Sequence, residues 1–226
     1  SPYGHLRRSG WRKVSSSSNC RFRRFGYSAS FISVFHGLVN PPTTSSQEAS
    51  SLVMSTESMQ DLIRSIPDYP NPGVTFRDIT PLLGDGPAFS EAIAKIAERF
   101  VDANIQRVIG VEARGFILGA PIAVALNAGF VPVRKAGKLP WAVVREEYDL
   151  EYGSDKLEIH RDAIHPGERI LVVDDVLATG GTAAATCRLV SALGGDIVAL
   201  AVLIELPFLE GRAKLDGIAV KSLFSY

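Results

Sequence analysis

Two adjacent acids and a loop of small residues form the stretch of this sequence best suited to chemistry. Asp174 and Asp175 follow the apolar, β-branched run 170–173, which predicts a buried parallel strand. The loop 178–182 (Ala-Thr-Gly-Gly-Thr) comes next, and an Ala-rich helical pattern begins directly after it. In an open α/β sheet, ligands bind at the carboxyl ends of the strands, and a helix amino terminus attracts phosphate. We therefore expect a phosphate-binding loop here, with two carboxylates beside it.

The residue types of this loop favour a phosphorylated sugar. Gly180 and Gly181 let the backbone approach an anion, and Thr179 and Thr182 add hydroxyl donors. A triphosphate-binding loop would carry a Lys after its glycines, and this loop has none. Two carboxylates beside a phosphate cradle suit a ribose 5-phosphate, whose vicinal hydroxyls lie near its phosphate. A tight strand-to-helix turn with solvated acids is the other interpretation, and an isolated Asp-Asp or Gly-Gly pair would favour it.

The elements that must position these residues alternate along the chain. Apolar runs predict strands at 107–111, 130–133, 170–173, 196–204 and 220–226. Helical spacing predicts helices at 59–66, 88–103, 117–127 and 183–193. This alternation predicts an α/β fold, with a central parallel sheet flanked by helices on both faces. Residues 141–160 alternate as in strands and predict an antiparallel flap with a turn at 153–155.

Four motifs carry a family resemblance. They are VVDDVLATGGT at 172–182, PNPGVTFRDITP at 70–81, EARGF at 112–116 and YDLEYG at 148–153. Together they resemble the adenine phosphoribosyltransferases, a family of type I phosphoribosyltransferases, from about residue 59 to residue 226. The resemblance implies the type I phosphoribosyltransferase fold, with a hood loop over the base and a flap over the site. It also implies transfer of the 5-phosphoribosyl group from phosphoribosyl pyrophosphate (PRPP) to adenine, which gives AMP and pyrophosphate in purine salvage.

The resemblance assigns a role to each matching residue. The 5-phosphate and ribose would be bound by Asp174, Asp175, Ala178, Thr179, Gly180, Gly181 and Thr182. The pyrophosphate would be bound by Arg114, Arg134, Lys135, Lys138 and Tyr152, and the adenine by Thr75, Phe76, Arg77 and Leu206. Glu151, on the flap, would be the catalytic residue that stabilises the proton on the N7 side of the purine. Mg²⁺ would be the cofactor, bound through the substrate, with Asp174 and Asp175 as candidate ligands.

Taken singly, several of these residues also fit ordinary structural roles. Glu112 and Arg114 could form a surface salt bridge, and the three cations within 134–138 could belong to a solvated basic turn. A single Glu on a hairpin usually faces solvent, so the role of Glu151 depends on the resemblance. The two cysteines are too few for a disulfide framework or a zinc site, and Cys187 is expected to be a small buried residue.

Charge composition separates the start of the chain from the rest. The chain has 24 basic and 24 acidic residues, but residues 1–47 contain seven Lys or Arg and no Asp or Glu. An Arg- and Ser-rich leader is typical of organellar transit peptides; a disordered tail and normally untranslated sequence are the alternatives. We expect residues 1–53 to be an amino-terminal extension and residues 54–226 to be the phosphoribosyltransferase domain. The default location is the cytoplasm, and a transit peptide would imply a plastid or mitochondrion.

Other functions are less compatible with the sequence. No run of eighteen apolar residues occurs, and the part of the chain after the tail has no basic stripe, so neither a membrane nor a nucleic acid is an expected partner. The remaining alternatives are a related transferase for hypoxanthine, xanthine or orotate, and a PRPP-sensing regulator that retains the fold. The resemblance further implies a homodimer, with residues of the 134–138 turn reaching the neighbouring subunit.

Overall fold

The computed structural model describes residues 55–149 and 154–226 of the chain. Its strands are β1 (Arg64–Ile66), β2 (Phe76–Asp78), β3 (Arg107–Val111), β4 (Gly129–Lys135), β5 (Val143–Asp149), β6 (Ser154–His160), β7 (Arg169–Leu177), β8 (Asp196–Glu205) and β9 (Val220–Ser225). Its α-helices are α1 (Thr56–Gln60), α2 (Thr80–Gly84), α3 (Gly86–Ala97), α4 (Arg114–Ala125) and α5 (Gly181–Ala192). Short 3₁₀ helices occupy Glu98–Ala103, Pro207–Leu209 and Gly211–Lys214.

The larger of the two described sheets carries the site. Its strand order is β5-β6-β4-β3-β7-β8-β9. From β4 to β9 along this order the strands run parallel, whereas β6 pairs antiparallel with both β4 and β5. This topology confirms the predicted α/β fold, with a central parallel sheet and an antiparallel flap at one edge. Because β3 and β7 are neighbours, the turns that follow them meet at the same end of the sheet.

Hydrophobic cores cover both faces of this sheet. Along β7, Leu171 and Val173 pack into the core that includes α3 and α4, while Ile170 and Val172 pack into the core beneath α5 and the flap. This alternation follows from the two-residue period of a strand. All four side chains are fully buried, so the continuous apolar run marks a strand that is covered on both sides, as predicted.

The amino-terminal helix is shorter than predicted. Helical spacing suggested a helix over residues 59–66, but α1 ends at Gln60 and residues 64–66 form β1. β1 pairs antiparallel with β2, with Ser65 opposite Arg77. Met59 and Ile63 are buried as the spacing required. The pairing with β2 supplies the backbone hydrogen bonds that a longer helix would otherwise have made, so tertiary contacts override local propensity.

Other predicted boundaries also shift. β7 extends through both acids to Leu177, because β8 continues beside it and pairs Val176 with Ile204. The helix predicted at 88–103 ends at Ala97 and continues as a 3₁₀ helix. The turn predicted at 153–155 is placed too late, since β6 already begins at Ser154.

The predicted extension at residues 1–53 and its boundary with the domain lie outside the described residues. Cys20 lies there as well. Within the described part of the chain, no helix has the length and apolar composition needed to cross a membrane.

Candidate functional site

A cavity of about 990 Å³ lies at the carboxyl ends of β3 and β7. Its volume is in the range of cavities that hold small-molecule ligands. Many residues predicted to form the site line it together: Thr75, Phe76, Arg77, Arg114, Asp174, Asp175, Ala178, Thr179, Gly180, Gly181, Thr182 and Leu206. The structure thus places three predicted parts of the site around one cavity. They are the base hood (within residues 67–81), the two carboxylates of Asp174 and Asp175, and the phosphate loop (residues 178–182).

The phosphate loop, residues 178–182, forms a cup at the amino terminus of α5. Gly180 is the residue before the helix and has a φ of +78°, in the left-handed region that favours glycine. A Cβ at this position would also collide with the carbonyl oxygen of Gly211. The first-turn amides of a helix have no intrahelical partners, so they can bind an anion placed in the cup.

The two acids differ in their surroundings. Arg114 Nε lies 2.8 Å from Asp175 Oδ2, yet this buried oxygen receives no directed hydrogen bond from any described residue. Burial and the neighbouring Asp175 carboxylate together raise the pKa of Asp174 well above its usual range. A cation or the hydroxyl donors of a bound sugar would lower this pKa, because each stabilises the ionised form. The pair is therefore arranged to receive a polar ligand.

Arg114 connects the acids with the base hood. It is the first residue of α4, and its guanidinium carbon lies 5.2 Å from the centre of the Phe76 ring. The surface salt bridge that Glu112 and Arg114 could have formed does not occur among the described residues. Instead, Glu112 accepts hydrogen bonds from Arg134 Nε at 3.1 Å and from the Lys135 amide at 3.0 Å. Arg114 is thereby left to face the cavity.

The predicted basic turn lies away from this cavity. Arg134 is paired with Glu112, and Lys135 Nζ lies 2.9 Å from Asp155 Oδ2. Lys138 is exposed and has no ion-pair partner within residues 55–149 and 154–226. None of the three lines the cavity of its own chain, so their role at the pyrophosphate remains a prediction.

The predicted flap residues Glu151 and Tyr152 lie outside the described residues, and their roles remain predictions. The flap strand β5 nevertheless reaches the cup. The Thr182 hydroxyl donates a hydrogen bond of 3.3 Å to the hydroxyl of Tyr148, a buried residue of β5. The flap thus contacts the predicted phosphate site near the end of β5 that leads into the hairpin turn.

The base hood contacts Tyr226, the last residue of the sequence, through Arg77. Arg77 Cζ lies 4.0 Å from the centre of the Tyr226 ring, and Arg77 Nη1 also donates a hydrogen bond to the Ser65 hydroxyl. Tyr69 packs edge-on against Phe76, with the ring centres 5.4 Å apart. These contacts hold the hood from both sides.

Several cavity residues were not predicted. Phe208 and Leu209 follow Leu206 in a 3₁₀ helix and line the cavity, and Phe208 is 71% exposed. Val176 and Leu177, between the acids and the cup, also line it. The only sequence signal for Phe208 was an apolar residue just after a strand end, which equally fits a core position.

Cys187 is confirmed as a buried residue. Burial raises the pKa of its thiol to about 11. The reactive thiolate is therefore scarce near neutral pH.

An ion pair between the buried Glu205 carboxylate and the exposed Arg212 guanidinium lies behind the cup. Glu205, the last residue of β8, is 5% exposed and accepts hydrogen bonds from Arg212 Nε and Nη2, the latter at 2.7 Å. The Ser222 hydroxyl donates to the same carboxylate at 2.8 Å. The hydrogen bonds from Arg212 hold the pKa of Glu205 below its ordinary value of 4.5, although burial acts in the opposite direction.

This pKa shift predicts a pH-dependent contribution to stability. The ionised Glu205 contributes fully to the free energy of unfolding at pH values above the pKa that it has in the unfolded chain. This contribution is lost as the pH falls through the lower pKa that Glu205 has in the native protein. The free energy of unfolding should therefore differ more between wild type and Glu205→Gln at pH 7 than at about pH 3. Urea denaturation at both values measures this. The partly exposed helix pair of Glu91 and Lys95, 3.1 Å apart, offers a control, since an ion pair between residues i and i+4 contributes little and Glu91→Gln should have a small effect at either pH. An equal difference at both pH values for Glu205→Gln would contradict the assignment.

Comparison with known proteins identifies the family. The phosphoribosyl transferase domain model matches residues 82–221. The chain is 53% identical to the adenine phosphoribosyltransferase of Chloroflexus aurantiacus over 173 residues, which is 76% of this chain and 100% of the relative.

Two solved structures are also similar. The adenine phosphoribosyltransferase of Thermoanaerobacter pseudethanolicus has a TM-score of 0.74 and 48% identity, over 76% of this chain and 100% of that one. The Saccharomyces cerevisiae enzyme, complexed with adenine and an imino-altritol bisphosphate, has a TM-score of 0.71 and 38% identity. The match covers 77% of this chain and 99% of that one. These matches agree with the type I phosphoribosyltransferase fold and with the motifs that line the cavity. The chain therefore belongs to the adenine phosphoribosyltransferase family.

Proposed function

We propose that this chain transfers the 5-phosphoribosyl group from PRPP to adenine, giving AMP and pyrophosphate in purine salvage. The observation that carries the proposal is the single cavity that joins the hood, the acid pair and the cup. Adenine would lie between the hood and Leu206, and the 5-phosphate in the cup. The ribose would lie between them, beside Asp174 and Asp175.

In the proposed reaction the protein positions and stabilises charge. N9 of adenine forms a bond to the anomeric carbon as the bond from that carbon to pyrophosphate breaks, and the proton that adenine carries on the N7 side would pass to Glu151. The transition state resembles an oxocarbenium ion, so no nucleophile from the protein is required. The cup would hold the 5-phosphate and thereby fix the sugar. Arg114 would stabilise the negative charge that develops on the leaving pyrophosphate.

We propose Mg²⁺ as the cofactor, in line with the general use of Mg²⁺ with PRPP in this family. The described residues contain no cluster of three or more His, Cys, Asp or Glu side chains that could hold a metal. The Asp175 oxygen, which lies 2.8 Å from Arg114 Nε without receiving a directed hydrogen bond, and the raised pKa of Asp174 fit a cation that is bound mainly by the substrate's oxygens. When bound, Mg²⁺ would neutralise charge on the departing pyrophosphate.

The base specificity is tested by assaying adenine, hypoxanthine, guanine, xanthine and orotate separately, each with PRPP and Mg²⁺. We expect AMP formation from adenine and little product from the others. The second measurement is competition, in which guanine and hypoxanthine should not slow the reaction with adenine. Faster conversion of hypoxanthine, xanthine or orotate than of adenine would overturn the proposal.

Glu151 is the proposed proton-managing residue, by its match to the family motif. Glu151→Gln keeps the size of the side chain but cannot exchange a proton. We expect the turnover number to fall by roughly 10²-fold or more, the usual contribution of acid–base catalysis. Steady-state kinetics with adenine and PRPP measure this, with Glu146→Gln on β5 as a control outside the proposed mechanism. Unchanged turnover in Glu151→Gln would remove the residue from the mechanism.

We propose that the enzyme is a homodimer. Support comes from α4, where Ile117 and Val124 are 44% and 59% exposed on a helix whose only charged residue is Arg114. The basic turn, which lies away from the cavity of its own chain, also suits a role at a neighbouring subunit. Sedimentation equilibrium should give twice the chain mass of 24.4 kDa. A monomer at working concentrations would contradict this proposal.

We also propose a cytoplasmic location. The support is the similarity to the enzyme of a bacterium, Chloroflexus aurantiacus. Bacteria have no plastid or mitochondrion, so that relative functions without import into an organelle. Fluorescence microscopy of a fusion that carries residues 1–53 tests it. Signal confined to a plastid or mitochondrion would instead identify the extension as a transit peptide.

A further inference from the structure

Gly211 lies directly against the cup. A Cβ added at Gly211 would collide with the carbonyl oxygen of Ala178 and lie 3.1 Å from the backbone nitrogen of Gly180. A Cβ added at Gly180 would in turn collide with the carbonyl oxygen of Gly211. The two backbone segments touch with no side chain between them. Because the two backbones are in direct contact and close-packed, a displacement of Gly211 must also displace the cup.

The residue after Gly211 is tied to the sheet. The guanidinium of Arg212 makes a two-point contact with the Glu205 carboxylate, and its Nη1 lies 3.4 Å from the carbonyl oxygen of Val220. The Ser222 hydroxyl binds the same carboxylate from β9. A two-point guanidinium–carboxylate contact fixes orientation as well as distance. The last residue of β8 and the first residues of β9 therefore set the position of the Gly211 backbone.

We propose that Glu205 and Arg212 form a positioning clamp for the cup and thereby set the affinity of the site for the 5-phosphate of PRPP and AMP. The clamp touches no substrate and acts through Gly211 on the cup. This proposal rests on the assignment of the cup to the 5-phosphate. The adenine hood is a separate segment, so loss of the clamp should weaken binding of the phosphorylated ligands more than binding of adenine.

The first test varies Arg212, because Glu205 is next to Leu206 of the base pocket. For Arg212→Met we expect the KM for PRPP and the Kd for AMP, measured by calorimetry, to rise about 10-fold. The KM for adenine should change less than about 2-fold, since the hood contacts remain. Arg212→Lys keeps the charge without the two-point contact and should give an intermediate effect. The control is Lys95→Met, which breaks a distant ion pair with Glu91 and should leave all three constants at wild-type values.

A second variant separates positioning from folding. Arg212→Met alone leaves a buried carboxylate without its cation, whereas Glu205→Gln/Arg212→Met removes both charges and should recover much of the lost Tm. We expect the KM for PRPP to stay raised in this double variant. Recovery of the KM together with the Tm would overturn the clamp, as would a wild-type KM for PRPP in Arg212→Met and Arg212→Lys.

Thr182→Val tests the cup separately. A raised KM for PRPP in Thr182→Val with wild-type values in the Arg212 variants would reject the clamp and retain the phosphate site. Wild-type values in Thr182→Val would instead reject the assignment of the cup, and with it the basis of the clamp.

Discussion

Gly180→Ala is expected to lower kcat/KM for PRPP by about 10²-fold, because even a displacement of about 1 Å at a substrate-positioning group can cost this much. The left-handed φ of +78° at Gly180 costs an alanine about 1–2 kcal/mol. The new methyl group would also collide with the carbonyl oxygen of Gly211, so the cup or the Gly211 turn must move. Steady-state kinetics with varied PRPP and calorimetry with AMP measure the effect.

Gly84→Ala is the matched control for this glycine. A Cβ at Gly84 has no neighbour within 4 Å, and its φ lies outside the left-handed region. It should therefore leave both kcat/KM for PRPP and the affinity for AMP unchanged. Wild-type kinetics in Gly180→Ala would show that the cup does not hold the phosphate.

Arg114→Met is expected to lower kcat/KM for PRPP by about 10²-fold or more, as is usual when a group that stabilises transition-state charge is removed. The substitution removes the charge that lies 2.8 Å from Asp175 and 5.2 Å from the Phe76 ring. Asp174 then loses a cation whose charge lowers its pKa, so its ionised form becomes less favourable. The measurement is the kinetics of both substrates, in which the PRPP dependence should change most.

Arg107→Met controls for the loss of an ion pair. Arg107 is the first residue of β3, whereas Arg114 follows the last residue of the same strand, so the two lie at opposite ends of β3. Arg107 Nη2 lies 3.1 Å from Glu168 Oε1. The variant should lose some stability to urea and keep its KM for PRPP. Equal kinetic losses in Arg107→Met and Arg114→Met would show that Arg114 acts through the fold and not at the substrate.

Much of the site was predictable because its parts are local. The strand, the acids, the cup and the following helix are contiguous in residues 169–192, so a continuous apolar run and the placement of the glycines predict them without knowledge of the rest of the chain. The base hood carries no such pattern. Its assignment came from the family motif, and the structure then placed Thr75, Phe76 and Arg77 around the same cavity.

The sequence by itself determined the α/β class, the buried central strand and the position of the cup, because these depend on side-chain periodicity and on backbone conformations within single segments. Tertiary structure decided which groups meet across segments. Arg114 pairs with Asp175 and not with nearby Glu112, since β3 and β7 lie side by side. Residues 64–66 form a strand because β2 is there to pair with them. Gly211 supports the cup because Arg212 binds Glu205, and no local pattern encodes the contact of Gly211 with Ala178 and Gly180, which lie far earlier in the chain.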